Sequence, residues 1–179
     1  MWTKISIDPH FSATLQQCAF QRLQMQQFRE AELALSKKVM PEIRNDKIFW
    51  LDAKSETLHK IESSLLMALD ELCVSLKQEL HVYLDSTECH YALYEIGHFY
   101  KRHRDSTSQN NKRIFSFTLY LNNEWKDNDG GNLIGYDGQK ILFSVKPEIG
   151  TMILFRSDIE HEVLPTTRDR LSITGWFRQ

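Results

Sequence analysis

Two stretches of this chain alternate so regularly that the residues on either face of a strand can be assigned from the sequence alone. In Ile114–Leu121, Ser116, Thr118 and Tyr120 share one face, and Phe115, Phe117, Leu119 and Leu121 share the other. In Arg170–Phe177, Arg170, Ser172, Thr174 and Trp176 line up opposite Leu171, Ile173 and Phe177. Successive side chains of a strand project to opposite faces, so each stretch buries an apolar face and turns a polar one toward a second space. A polar line ending in Arg is expected to point inward, with Tyr120 and Arg170 directed into one cavity. The period of two runs on from Cys89, with β-branched and aromatic residues and closely spaced turn residues, predicting six to eight antiparallel strands. Asp129-Gly130-Gly131-Asn132 and Tyr136-Asp137-Gly138-Gln139 read as hairpin turns, while Pro147, Gly150 and Pro165 mark further corners.

The first half has a helical character. Phe11 to about Leu35 is rich in Gln, Leu, Ala and Glu without Gly or Pro, predicting a helix that Pro41 closes. Leu58, Ile61, Leu65, Leu69, Leu72 and Leu76 recur at steps of three and four, with Glu62, Asp70, Glu71 and Lys77 assigned to the other side. That stripe needs a sheet to cover. The expected fold is α+β but mainly β: a double-stranded β-helix, or distorted jelly roll, supported by N-terminal helices. One domain is expected over residues 1–179, with helical support over about 1–85 and the β-helix core over about 86–179.

Composition excludes several classes. At 179 residues and 41% hydrophobic, the chain is long enough for one core. A net charge of −2 gives no general drive toward nucleic acid or anionic membrane. No apolar run approaches a membrane span, and the N-terminus lacks the apolar core of a secretory signal. Cys18, Cys73 and Cys89 form neither a CxxC motif nor a Cys/His cluster, so the reading is a reduced, cytoplasmic protein without disulfides or structural zinc.

The chemistry begins at His103 and Asp105, two residues apart and therefore on one face of a strand, with His161 returning downstream and Arg170 nine positions beyond it. Two His and one carboxylate on one face, with the opposite positions open, suit non-haem Fe(II) and O2. A guanidinium inside a sandwich is costly unless paired. A dicarboxylic cosubstrate gripped by Arg170 in a bidentate fork supplies the pair, which points to 2-oxoglutarate, with the Tyr120 hydroxyl as a further donor.

Around these residues stand His161-Glu162-Val163-x-Pro165 followed by Arg170-x-x-Ile173-Thr174-x-Trp176, then Tyr120-Leu121-Asn122-x-x-Trp125 with Gly130-Gly131, and Ile43-Arg44-Asn45-Asp46-Lys47-Ile48-x-Trp50. From about Ile43 to its end the chain resembles the prolyl 4-hydroxylase family of Fe(II)- and 2-oxoglutarate-dependent oxygenases, especially the HIF-type prolyl hydroxylases and their bacterial relatives. The resemblance implies that His103, Asp105 and His161 bind Fe(II) and that Arg170 and Tyr120 bind the 2-oxoglutarate carboxylate. It puts Tyr94 near the metal end of the cosubstrate, and Leu133 and Trp176 on the pocket wall. It makes about 36–46 a loop closing over a prolyl substrate, with Arg44 and Asp46 organising its base. The implied activity is hydroxylation of a prolyl residue in a protein, with O2 consumed, succinate and CO2 released and ascorbate in support; no separate catalytic acid or base is needed.

Two other readings of the same residues stay open: a hydroxylase of a free amino acid or other small molecule, and a non-catalytic metal-dependent binding module. His10, His59, His81, His90 and His98 read as surface or hydrogen-bonded structural residues. Lys101, Arg102, Arg104, Lys112 and Arg113 read as a solvated outer face, and 106–111 as a mobile loop at the mouth.

Overall fold

A computed structural model describes residues 1–32, 38–108 and 111–179. Among the described residues the strands form two antiparallel sheets. The larger contains β1 (Trp2–Ser6), β2 (Arg29–Glu30), β3 (Lys47–Leu51), β4 (Ser86–Tyr94), β6 (Arg113–Tyr120), β9 (Thr151–Arg156) and β11 (Arg170–Arg178), in the order β1-β9-β6-β11-β4-β3-β2. The smaller is ordered β5-β10-β7-β8, from β5 (Tyr100–His103), β7 (Leu133–Asp137), β8 (Lys140–Val145) and β10 (Glu160–Val163). The predicted double-stranded β-helix is therefore observed, with eight strands from Ser86 onward. Three further strands lie in the first half, where helices alone were expected. The Gly138–Gln139 turn joins β7 to β8 as a hairpin, as its sequence predicts.

The alternation holds on both central strands. Phe115, Phe117, Leu119, Leu171, Ile173 and Phe177 belong to one buried cluster with Leu15 and Ala19 of α1 (Pro9–Gln24) and Leu65, Leu69, Cys73 and Leu76 of α2 (Lys60–Leu80). The helices thus cover the outer face of the larger sheet. A second cluster, with Ala92, Tyr94, Tyr120, Ile153 and Phe155 from the larger sheet and Leu133, Phe143, Val145 and Val163 from the smaller, lies between the sheets. No described helix is long and apolar enough to cross a membrane.

The first helix ends earlier than its composition suggests. Asp8 caps its start by accepting from the Phe11 amide at 2.9 Å, and Pro9 suits the first turn. The chain then turns through Gln26 at φ +55°, and Arg29–Glu30 pairs with Ile48 and Lys47 on the sheet edge. Strand pairing overrides helix propensity here. The remainder of the expected helix, through Leu35, falls partly on 33–37, outside the described residues.

Glu62 is also misplaced by the sequence reading. It is fully buried, on the same stripe as Leu65, Leu69, Cys73 and Leu76. Arg22 of α1 grips it through Nε at 2.8 Å and a second nitrogen at 2.5 Å, and also donates to Thr57 O and Gln27 Oε1. The guanidinium lies 4.2 Å from the centre of the Phe49 ring. Burial would raise the Glu62 carboxyl, but Arg22 and the His59 amide outweigh it and hold it below its ordinary value. Removing one partner leaves a buried charge uncompensated. Arg22→Leu should therefore lose about 3–5 kcal/mol of unfolding free energy in a denaturant titration. The double variant Arg22→Leu/Glu62→Leu should recover most of that loss; additive losses would contradict the pairing.

Candidate active site

Strands β5 and β10 lie side by side in the smaller sheet with His103 directly opposite His161. Each imidazole gives its Nδ1 to a carbonyl two residues earlier, His103 to Lys101 O at 2.8 Å and His161 to Ile159 O at 2.9 Å. A carbonyl only accepts, so both rings carry a proton on Nδ1, which leaves Nε2 as the nitrogen each ring can offer to a metal. The Nε2 atoms reach toward Asp105, 3.6 Å from Oδ1 for His103 and 3.5 Å from Oδ2 for His161. One ligand atom from each of the three residues fits within 4.8 Å of the others.

Asp105 is not held by a strand, as its spacing from His103 implies, because β5 stops at His103. The turn that follows is fixed instead by the Asp105 and Ser106 amides, both donating to Ser157 O. Ser116 then donates to Asp105 Oδ2 at 2.7 Å, with its hydroxyl 2.9 Å from that of Ser157. Burial raises the Asp105 carboxyl, but the imidazoles and the Ser116 hydroxyl together hold it well below the carboxylate range. His161 is pushed down to about 4, first by burial and then by the charge of His103. The site therefore keeps an anionic oxygen and a neutral imidazole at physiological pH. Tyr100 stacks on His103 at 3.6 Å, and the Phe155 ring meets His161 edge-on at 4.9 Å.

Arg170, 1% exposed, sits on the inner face of β11. Its Nε donates to Gly131 O at 2.8 Å and a terminal nitrogen to Ser172 Oγ at 3.3 Å. The Tyr94 and Tyr120 rings flank the guanidinium at 5.0 and 5.1 Å. No carboxylate pairs with it among the described residues. Burial pushes the Tyr120 phenol up to about 12 against the pull of Arg170, and its hydroxyl has no described hydrogen-bond partner. The Gly130-Gly131 segment is not the hairpin its sequence suggests. Both glycines take positive φ and run against the loop before β11, where a Cβ on Gly130 would lie 2.4 Å from Pro165 O and one on Gly131 3.0 Å from the Arg170 side chain. Glycine is needed there for close approach.

These groups open into one cavity of about 80 Å³. His103, Asp105, His161, Arg170, Tyr94, Leu133, Trp176, Arg44 and Asp46 all line it. Tyr120 lies behind Arg170 and does not line it, and Tyr94 packs against Arg170. Arg44 and Asp46 are bound to each other by two hydrogen bonds of 2.5 and 2.9 Å, with Arg44 over the Tyr100 ring at 4.9 Å. The Lys101 amide donates to Ile43 O and the Phe99 amide to Asn45 Oδ1, which ties this segment to β5. Of the substrate loop expected over 36–46, residues 36 and 37 lie outside the described residues.

Three lining residues were given other roles by the sequence: Arg104, Arg113 and His90. Arg113, assigned to a solvated face, lies 3.4 Å from the centre of the Trp176 ring and pairs with Glu88 at 3.0 Å. His90 is fully buried, with its ring centre 4.7 Å from that of Trp50 and 5.5 Å from that of Trp176. Burial, reinforced by Arg44, pushes its imidazole down to about 3. Alternation with Ala92 and Tyr94 was the available signal.

Residues 89–178 match the sequence model of the 2OG-Fe(II) oxygenase superfamily. A prolyl-4-hydroxylase from Pseudomonas putida is 33% identical with a TM-score of 0.90, over 99% of this chain and 92% of that one. A prolyl hydroxylase from Trichoplax adhaerens, solved with a peptide fragment of the hypoxia inducible factor oxygen degradation domain, is 27% identical with a TM-score of 0.90, over 99% and 83% of the two chains. A viral collagen prolyl hydroxylase from Paramecium bursaria Chlorella virus-1, 19% identical over 99% and 95% with a TM-score of 0.68, shares the fold. The chain belongs to the 2OG-Fe(II) oxygenase superfamily and is a 2-oxoglutarate-dependent dioxygenase. Its class implies Fe(II), 2-oxoglutarate and O2.

The two depressed imidazoles give the metal-free protein an acid sensitivity with a definite sign. Below the ordinary value of 6.5, the unfolded chain protonates His90 and His161 while the folded chain does not until about pH 3 and 4. The unfolded state then holds more protons, so stability falls as pH drops through that window. His90→Phe should flatten the slope, sparing about 2 kcal/mol between pH 6.5 and 5 relative to the wild type. Chemical denaturation of the chelated protein across that range checks it, and parallel curves would refute the assignment.

Proposed function

We propose that His103, Asp105 and His161 hold Fe(II) through the two Nε2 atoms and the carboxylate, that Arg170 binds the far carboxylate of 2-oxoglutarate, and that the enzyme hydroxylates a prolyl residue in a polypeptide. The observation that carries the cosubstrate assignment is the buried Arg170 guanidinium, which among the described residues meets only neutral partners and lines the same cavity as a His-Asp-His cluster. The donor set fits a ferrous ion, since it offers two imidazole nitrogens and one carboxylate close together. Likeness to the Pseudomonas and Trichoplax enzymes supports the prolyl substrate class.

When bound, Fe(II) with 2-oxoglutarate and O2 supplies oxidative decarboxylation to succinate and CO2, coupled to hydroxylation of a C–H bond. The chain supplies position and dryness. Lys101 O and Ile159 O hold the imidazole edges in place, and Ser116 orients Asp105. Arg170 offers a planar fork to a carboxylate, with Tyr94 lining the cavity beside it and Tyr120 packed behind it. Leu133 and Trp176 wall the cavity against water. The Arg44–Asp46 pair stiffens the base of the segment over which a polypeptide would pass. Ascorbate is the supporting reductant in this reading, residues 1–179 act as one dioxygenase domain, and the three free buried thiols accord with a cytoplasmic setting.

Incubation with Fe(II), 2-oxoglutarate, ascorbate and host proteins should yield succinate together with a +16 Da shift on proline. Turnover of free proline with no polypeptide oxidised would replace the substrate assignment with a small-molecule one. His103→Ala and Asp105→Ala should abolish turnover. Arg170→Ala should raise the 2-oxoglutarate KM by roughly 10- to 100-fold, the scale of losing hydrogen bonds to a charged group, and Arg170→Lys should fall between, because an ammonium cannot form the fork. An unchanged KM in Arg170→Ala would sink the cosubstrate assignment.

A further inference from the structure

His90 occupies the partition between two cavities. The catalytic cavity of about 80 Å³ and an outer one of about 450 Å³ share four lining residues, Arg44, His90, Arg113 and Trp176. The outer cavity continues over Phe49 and Trp50 to Arg29. On β4, His90 faces Thr174 of β11 on one side and Trp50 of β3 on the other. Neither ring nitrogen has a hydrogen-bond partner among the described residues, nor does the adjacent indole Nε1 of Trp176.

Three buried polar atoms left unpaired at one spot are costly, and buried groups in native proteins are otherwise nearly always satisfied. Their chemistry narrows what completes them. An uncharged imidazole offers one N–H and one lone pair, and the Trp176 indole adds a second N–H. An anion would leave the lone pair facing negative charge, and a cation would meet Arg44 and Arg113. A peptide unit, with one carbonyl and one N–H, matches the set. A prolyl nitrogen carries no hydrogen, so the N–H must come from a residue beside the proline.

We propose that His90 is a specificity-determining residue, hydrogen-bonding a main-chain amide next to the target proline where the substrate passes from the outer cavity into the catalytic one. The proposal rests on the polypeptide reading above and adds to it the group that registers the substrate backbone. Trp50, 47% exposed, covers the imidazole on the outer side with its ring centre 4.7 Å away, and it must turn aside for a chain to reach the ring.

The test is a randomised peptide library with one fixed central proline, assayed with Fe(II), 2-oxoglutarate and ascorbate and read by mass spectrometry, followed by kinetics on the peptides oxidised. His90→Phe keeps an aromatic ring between the indoles but loses both polar atoms; His90→Gln keeps a donor and an acceptor. The expected result is a peptide KM raised about tenfold more than the 2-oxoglutarate KM in His90→Phe, the scale of one lost hydrogen bond, with recovery to within about threefold in His90→Gln. An unchanged peptide KM in His90→Phe overturns the proposal. An equal rise in both KM values overturns it too, by placing His90 on the cosubstrate, and a Gln variant no better than Phe reduces His90 to packing. A library left unoxidised by the wild type while free proline is hydroxylated refutes the polypeptide reading itself, and the proposal goes with it.

Discussion

The pleat of β11 obliges one strand to serve two incompatible environments, and the rest of the molecule is arranged around that division. Its odd residues, Leu171, Ile173 and Phe177, seal the core under the helices, while its even residues carry Arg170, Ser172, Thr174 and Trp176 into the space between the sheets. β6 and β4 flank β11 and repeat the split, with Phe117 and Leu119 outward and Ser116 and Thr118 inward on β6, and Cys89 and Tyr91 outward and His90 inward on β4. A slip of one residue in either ladder would turn the polar row into the core and the apolar row into the cavity. Folding of the apolar face and assembly of the site are consequently the same event.

The smaller sheet contributes register more than burial. Opposition of His103 and His161 across the β5–β10 ladder brings the ring centres to 4.2 Å, and the same local device, a carbonyl two residues back, fixes each ring. Asp105 comes from outside the ladder, but it is tied to the larger sheet through Ser116 of β6. The three ligand candidates thus draw on both sheets, and a motion separating the sheets would pull Asp105 away from the imidazoles. Packing of Phe143, Phe155, Val145 and Val163 between the sheets opposes that motion.

What the sequence made legible was whatever depends on period and local spacing: the faces of β6 and β11, the apolar stripe of α2, the hairpin at Gly138, and the convergence of His103, Asp105 and His161. What escaped it depends on partners remote in the chain. Glu62 looks like a surface residue until Arg22, 40 positions earlier, is placed against it. The first helix has no breaker at Gln24, and only pairing with β3 explains why the chain leaves it. Gly130-Gly131 has hairpin composition, yet its glycines answer to Pro165 and Arg170 from another loop and strand. Asp105 shares a site with His103 through a turn held by Ser157, although the two-residue spacing alone suggested a strand. His90 fell in the period-two region but was read as a surface or hydrogen-bonded residue, and its burial between two indoles rests on Trp50 and Trp176, which no short motif links.

Unsatisfied polarity locates the site independently of any motif. Eight buried side-chain polar atoms lack a hydrogen-bond partner among the described residues, and four of them belong to His90, Tyr120 and Trp176. These three residues lie on the inner faces of neighbouring strands β4, β6 and β11, beside a guanidinium that also lacks an anion. A core selected for stability alone would replace such groups with apolar ones, since well-packed hydrophobic substitutes are often neutral or stabilising. Their concentration on one face follows if that face completes its hydrogen bonds with molecules that come and go. The outer face bears the opposite signature: its buried charged pair, Arg22 with Glu62, is closed on itself by four further donors and acceptors from the protein, His59 N, Thr57 O, Gln27 Oε1 and the Phe49 ring. The hydroxyls of Ser12 and Thr87 stay unpaired on the helix side, but its charged pair is finished by folding, whereas the cluster of His90, Tyr120 and Trp176 is left open on the cavity side.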